Sequence, residues 1–506
     1  MFVIPCSKAT MWTKALRRWT GTLVQGRGHF SGPQRRKRES GYFDAETLGQ
    51  RLVKPRFDRL EPIEKNLYIE SELTRSRSHV EIEQFLAEQQ ITLNGYTVDV
   101  PKPVLTIDEC VFLEKARHLF AKKNFVSPSP IQAQAWPIVL SGRDLVGIAQ
   151  TGSGKTLAYA LPGAIHASHQ RRSNASEGPI AVVLAPTREL VQQIHGVIRE
   201  WCEQSYNVRA VPVYGGASRN VQIAALQRGP QVCIATPGRL LDLLESGSVS
   251  LFRCTFLVMD EADRMLDMGF EPQIRKIVEQ TRPDRQTVMW SATWPEEVRT
   301  LALDFLTDFI QVNIGSVELC ANHNIRQVVE VCSYMEKDEK LVDILKDIGR
   351  EEKTLIFAST KRGVARLVHM LYDQGFRAVA THGDLSQSKR DLALDRFRSG
   401  RTNILVATDV ASRGLDVSDI KYVINYDYPG TSEDYVHRIG RTGRSNRTGT
   451  AITLFTYEDA NRARDLVQVL READQEVNPE LHKMMDLHKK VQQRSFNPRY
   501  RGRSLG

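Results

Sequence analysis

The sequence predicts an α/β protein of two tandem domains, each a parallel sheet covered by helices on both faces, with basic tails at either end. Three observations carry this. Short β-rich apolar runs alternate with amphipathic stretches from about residue 140 to 312, and a second series follows. The runs are continuous rather than alternating, as expected of strands buried on both faces. Almost every distinctive polar motif begins where a run ends, and in open α/β sheets ligands bind at the carboxyl ends of strands.

Taken in order, residues 1–57 hold 12 Lys/Arg and 3 Asp/Glu, a net +9, with no acid before Glu39. They read as a basic disordered tail. The run Arg35-Arg36-Lys37-Arg38 also fits a nuclear localisation signal. The acid-free start, with Lys14, Arg17 and Arg18 beside Trp12, Leu16 and Trp19, fits a mitochondrial presequence. The expected location is nucleus and/or cytoplasm, with the mitochondrion as the alternative. Residues 58–105 are an N-terminal flank, and 106–312 the first domain. Its strand runs include Leu145–Ile148, Ile180–Leu184, Val232–Ile234, Phe256–Met259 and Val288–Trp290. The aperiodic stretch 313–325 reads as a linker. The second domain, 326–475, has runs at Leu355–Phe357, Ile404–Val406, Val423–Asn425 and Ala451–Leu454. Residues 476–506 form a basic C-terminal tail ending in a short Arg/Gly segment.

The whole chain carries +9, and residues 482–506 alone carry +6, so residues 58–481 are left with −6. The basic charge belongs to the tails. It suits a polyanion such as RNA, although solvated ends need no partner. No apolar run approaches the roughly 18 residues of a membrane span. The seven cysteines are scattered and form no C-x-x-C pair. Neither a disulfide framework nor a zinc site is indicated, and a reducing compartment is the simple reading.

The chemistry begins at Ala149-Gln150-Thr151-Gly152-Ser153-Gly154-Lys155-Thr156. This fits a phosphate-binding loop with Ala in place of the first Gly. Its glycines let backbone N–H groups wrap phosphates at a helix N-terminus. Lys155 is placed to reach the β and γ phosphates, and the Thr156 hydroxyl to ligate Mg²⁺. About a hundred residues on, an apolar run ends in Asp260 and Glu261. Asp260 fits a second metal contact and Glu261 the group that deprotonates the attacking water. Two acids after a strand are weak alone, since they also suit a helix start. Beside the loop they specify a nucleotide triphosphatase.

Many further motifs follow in a fixed order. They are Ser127–Gln132, Pro186–Leu190, Gly215-Gly216, Thr236–Arg239, Asp260–Asp263 and Ser291–Thr293. The second half adds Phe357–Thr360, His382–Asp384 with Gln387 and Arg390, Ala407–Asp409 through Arg413–Asp416, and His437–Arg444. On these motifs the chain resembles the DEAD-box ATP-dependent RNA helicases of superfamily 2 over residues 100–475. Its flanks, Ile63–Tyr68, Pro101–Leu105 and Val469–Asp474, are similar to the p68-type subfamily. The resemblance implies two RecA-like domains, ATP and Mg²⁺ as cofactors, and RNA-stimulated ATPase activity.

The same resemblance implies residue roles. Gln132 would read adenine and Phe125 pack near it; Gln offers the donor and acceptor that adenine's edge requires. Where the family has a further upstream aromatic, this chain has Ile107. Asp416 would hold the ribose. Arg441 and Arg444 would reach the γ-phosphate as arginine fingers. His437 and Asp263 would couple motifs, and Ser291 and Thr293 would link hydrolysis to strand separation. Thr187, Arg188, Gly216, Thr236 and Arg239 would grip RNA on the first domain, with Arg390, Thr408 and Gly414 on the second. Such groups hold phosphates without reading bases. The implied substrate is single-stranded RNA or a short duplex, bound with little sequence specificity. The implied outcome is local unwinding or remodelling of ribonucleoproteins in RNA processing, splicing or ribosome biogenesis, by a monomeric core with protein partners in those particles. An ATP-gated RNA clamp and a DNA helicase are the competing readings.

Overall fold

Parallel strands buried on both faces need helices on both faces, and that requirement organises the structure. It is a computed structural model. It describes residues 48–486 apart from 59, 96–99, 151, 172–175, 316–323, 410–416, 418 and 444–447. Of the tails expected at 1–57 and 476–506, residues 1–47 and 487–506 lie outside the described residues; the inner ends are packed rather than disordered, Leu48 and Leu52 against the first domain and Leu481 and Met484 in a core of the second.

The first sheet has eight strands: β1 (Ile91–Asn94), β2 (Leu145–Ile148), β3 (Ala181–Leu184), β4 (Ala210–Val213), β5 (Val232–Ala235), β6 (Phe256–Met259), β7 (Gln286–Ser291) and β8 (Ile310–Ile314). Their spatial order is β1-β8-β2-β7-β6-β3-β5-β4. Successive side chains of one strand enter opposite cores. Ala181 and Val183 join one cluster and Val182 and Leu184 the other, as do Phe256 and Val258 against Leu257 and Met259. This is the period of two expected of an extended chain.

The second sheet has six strands: β9 (Ile325–Val331), β10 (Thr354–Phe357), β11 (Ala378–Thr381), β12 (Ile404–Ala407), β13 (Tyr422–Asn425) and β14 (Gly449–Phe455). They run in the order β11-β12-β10-β13-β14-β9, all parallel. Leu355 and Phe357 face one core and Ile356 the other. The stretch expected as a linker shares residues 313–314 with β8 and residue 325 with β9.

The first sheet departs from an all-parallel expectation at one edge. β1 comes from the flank and pairs antiparallel with β8, Ile91 opposite Ile314 and Asn94 opposite Gln311. The flank is fastened at several other points. So is the end of the expected N-terminal tail just before it: the ring of Phe57 stacks on Phe252 at 5.1 Å, and Leu48 and Leu52 pack against the second core. Glu61 accepts from Arg253 at 2.8 Å and from Arg171 at 3.0 Å.

The most buried of these ties is Glu109, 1% exposed. Its carboxylate receives both arms of Arg77, at 2.6 and 3.0 Å, and the Thr74 hydroxyl at 3.0 Å. Removing one partner of a buried ion pair strands the other charge. Arg77→Ala is therefore expected to destabilise the protein by about 3 kcal/mol. Arg77→Ala/Glu109→Gln should recover part of that loss. Urea unfolding of the single and double variants checks both.

Candidate functional site

The loop after β2 turns sharply into helix Lys155–His169. Gly154 caps that helix at φ +96°, and a Cβ there would lie 2.5 Å from Gln132 Nε2. Both conditions demand glycine. Gln132, in the first turn of helix Pro130–Leu140, is itself fixed from two sides. Its Oε1 accepts from the Ser129 N–H and its Nε2 donates to the Gly154 carbonyl, each at 3.1 Å. One amide proton and one lone-pair direction remain to meet a base edge. Phe125 lies half-exposed, with its ring set edge-on to Phe120 (5.7 Å) and Trp201 (5.6 Å). Ile107 sits in the 3₁₀ turn Ile107–Glu109 and packs against the first core. Lys155 is buried at the head of its helix, with Nζ donating to the Ala149 carbonyl.

Asp260 and Glu261 follow β6. Asp260 is 3% exposed and accepts the Tyr159 hydroxyl at 2.7 Å. Thr156 and Tyr159 lie one turn apart on helix Lys155–His169. The helix that carries one of the oxygen groups expected to hold Mg²⁺ thus also fixes the other, Asp260, through a phenol. Burial pushes Asp260 up to about 6; Lys155 opposes that shift, Glu261 adds to it and the Tyr159 bond opposes it. Glu261 holds a left-handed φ of +53°, unusual for a side-chain-bearing residue, and its Oε2 is buried without a hydrogen-bond partner. The set fits Mg²⁺, which takes one or two hard oxygen ligands from a protein and keeps its remaining places for water and phosphate. Among the described residues no larger cluster of His, Cys, Asp and Glu suits a metal.

Asp263 Oδ2 accepts from the Ala292 N–H (3.1 Å), the Thr293 N–H (3.1 Å) and the Thr293 hydroxyl (2.9 Å). Burial alone would raise this carboxyl, but His437, Arg264 and Lys155 together hold it well below the usual range. Ser291 is fully buried at the end of β7. Across the cleft, His437 Nε2 stands 3.6 Å from Asp263 Oδ2. Burial and the Arg264 charge keep the imidazole below its ordinary pKa, against the pull of Asp263. Arg441 is 6% exposed and lines the same cleft with Arg264, Asp434 and Arg438.

A basic cluster marks the other expected surface. Thr187 caps helix Arg188–Ile198, its hydroxyl accepting from Leu190 N–H at 3.2 Å. Arg188 lies so close to Gly216 that a Cβ there would meet its Nη1 at 2.2 Å. Burial, then the like charges of Arg390 and Arg239, depress Arg188. Arg239 donates to the Ala217 carbonyl (3.3 Å) and Gln222 (3.2 Å). Arg390 bridges the lobes, pairing with Glu189 at 3.3 Å. Thr236 caps the following helix, and Thr408 follows β12, where its N–H reaches the Thr381 carbonyl at 3.3 Å. Three arginines from two lobes thus crowd together, an arrangement that a phosphate backbone would relieve. Thr151, Gly414, Asp416 and Arg444 lie outside the described residues.

Sequence reading gave no role to Tyr159, Arg264, Asp434, Asp409 or Arg438. Arg438 forks onto Asp409 at 2.5 and 2.7 Å and lies over the Phe357 ring at 5.0 Å. Tyr159 had no local signal, because its partner is 101 residues away.

Comparison with known proteins adds names to this geometry. Residues 129–301 match the family model described as DEAD/DEAH box helicase, and 336–446 that of the helicase conserved C-terminal domain. A mouse protein named probable ATP-dependent RNA helicase DDX17 is 53% identical, over 87% of this chain and 68% of its own length. The human protein of that name is matched over 60% of its length. ATP-dependent RNA helicase DBP2 of Saccharomyces cerevisiae is 52% identical, over 90% of this chain and 83% of its own. A solved structure of S. cerevisiae Dbp5 bound to RNA and ADP BeF3 is similar at 28% identity and TM-score 0.64, covering 76% of this chain and 99% of that one.

The raised Asp260 has a cost in stability. A carboxyl whose folded pKa lies near 6 rather than 3.8 makes the folded state bind the extra proton between those values. Stability therefore falls as pH rises through that window. Asp260→Asn is expected to raise the melting temperature at pH 7.5, by a gain on the order of 3 kcal/mol at most, and to lose that gain near pH 4. Thermal melts of the nucleotide-free protein at the two pH values check the sign.

Proposed function

This chain belongs to the DEAD-box family of ATP-dependent RNA helicases, with two RecA-like domains, and from that premise we propose how its residues divide the work. The observation that carries the reading is the split site. Lys155, Thr156, Asp260 and Glu261 stand on the first lobe, and His437 and Arg441 on the second. Neither lobe holds a complete set, so hydrolysis requires closure of the cleft.

In this reading ATP enters beside Phe125, and the two remaining hydrogen-bond positions of Gln132 meet the adenine edge. The N-terminus of helix Lys155–His169 and the Lys155 ammonium receive the phosphates. Thr156 and Asp260 would hold Mg²⁺, which would supply charge neutralisation to the phosphates. Tyr159 fixes the Asp260 carboxylate. Glu261 Oε2, buried and unpaired, orients the attacking water and accepts its proton. Arg441, a permanently charged planar group, meets charge that develops on the γ-phosphate. Arg444 and Asp416 are proposed beside it from their motifs.

RNA lies across Thr187, Arg188, Gly216, Thr236 and Arg239, and continues to Arg390, Thr408 and Gly414. Contacts to phosphate and 2′-OH give little base specificity. Closure bends one strand and displaces its partner locally. Asp263 then couples the states: it holds the Ser291–Thr293 segment on one side and meets His437 on the other. Hydrolysis reopens the cleft and releases RNA. We place the activity in nuclear or cytoplasmic RNA processing, with a monomeric core and protein partners from ribonucleoproteins.

Steady-state ATPase with and without RNA tests this. RNA should stimulate turnover, and DNA of the same sequence should not. Glu261→Gln should lower RNA-stimulated kcat at least about a hundredfold while retaining ATP binding. A Glu261→Gln variant of full activity would overturn the assignment. Strong RNA retention without duplex displacement would favour the clamp over the unwinding enzyme.

A further inference from the structure

Arg264 is the residue after Asp263, and the reaction described above gives it no part. It is 3% exposed, an unusual place for a guanidinium. Its Nη1 donates to two carboxylates. One is Asp267 at 2.8 Å, on its own helix Ala262–Asp267, with a half-exposed side chain. The other is Asp434 at 2.5 Å, on helix Ser432–Ile439 of the second lobe. Three residues further along that second helix is His437, which faces Asp263. Residues three apart share a helix face. The cleft is therefore crossed by two adjacent rungs, Asp263 to His437 and Arg264 to Asp434, between the same pair of helices.

The rungs differ in kind. Asp263 is already satisfied by three donors on its own lobe. Arg264 has its exposed partner on its own lobe and its better-buried partner, Asp434, across the cleft. Opening the cleft would take Asp434 away and leave Arg264 to acids of its own lobe, among them the half-exposed Asp267 and the neighbouring Asp263. Closing it adds Asp434, in a setting where water screens little. The geometry points to a closure latch: we propose that Arg264 is a positioning residue whose bond to Asp434 sets helix Ser432–Ile439 in register, so that His437 meets Asp263 and Arg441 enters the site. The inference rests on the closure mechanism proposed above and adds a residue pair to it.

The test uses the full chain and reads three quantities. These are RNA-stimulated ATPase, fluorescence transfer between a dye on each lobe with RNA and a non-hydrolysable ATP analogue, and affinity for a fluorescent ADP. Asp434→Asn, nearly isosteric, should raise the RNA concentration for half-maximal ATPase about tenfold and lower the closed fraction. ADP affinity should stay within about twofold, because a loss confined to closure leaves the binding lobe intact. The exchange Arg264→Asp/Asp434→Arg should recover part of the loss of each single reversal. If Arg264→Asp does not fold, the Asp434→Asn comparison decides alone. Wild-type closure and RNA dependence in Asp434→Asn, or fully additive losses in the exchange, would overturn the latch. Wild-type protein without RNA-stimulated turnover would instead overturn the helicase reading.

Discussion

The carboxylate of Asp263 is the interaction on which the rest of the site depends. It is buried, ionised, and held by three donors from one short segment after β7. A charge removed from water must find its partners inside the protein. Here those partners are the segment that follows the neighbouring strand and, across the cleft, a histidine of the other lobe. One side chain thereby registers Asp260 and Glu261 against the Ser291–Thr293 segment and the first lobe against the second. The parallel sheet makes this possible, because β6 and β7 are paired neighbours and their carboxyl ends emerge side by side.

Much of this was legible in the sequence, for a physical reason. The central strands β2, β3, β5, β6, β10 and β12 are buried on both faces, so they appear as unbroken apolar runs. The strands that escaped notice lack that signature. β4 carries Pro212 at the sheet's edge and is only half buried at two positions, and β11 is half buried along most of its length. β9 alternates because it is also an edge strand. β8 is interior, but Gln311 and Asn313 break its apolar pattern by bonding to each other at 2.8 Å. The motif residues were readable because glycines, adjacent acids and paired arginines have local chemistry. Tyr159 and Arg264 were not, because their roles come from partners 101 and 170 positions away.

The acidic pair shows what the fold gives up for chemistry. Two neighbouring carboxylates are sunk together, one with its pKa pushed up by burial and the other held in a left-handed backbone conformation with an unpaired oxygen. Local strain and unsatisfied polar atoms of this kind are sustained only by rigid surroundings. Those surroundings are here: β6 lies in the middle of an eight-stranded sheet, and Met259, directly before the pair, is fully buried. A cation and a water bound there, as proposed, would satisfy what the protein leaves open.

The flank strand β1 has a consequence for how the protein can be divided. It caps the hydrogen-bonding edge of β8, and the Gly315 N–H immediately after β8 donates to the Gln90 carbonyl at 2.9 Å. A fragment cut at the start of the matched helicase region, residue 129, would leave that edge bare. A bare edge of unpaired N–H and C=O groups is a template for pairing with another chain. Four residues that precede the matched region thus shield an edge the core would otherwise offer to other chains.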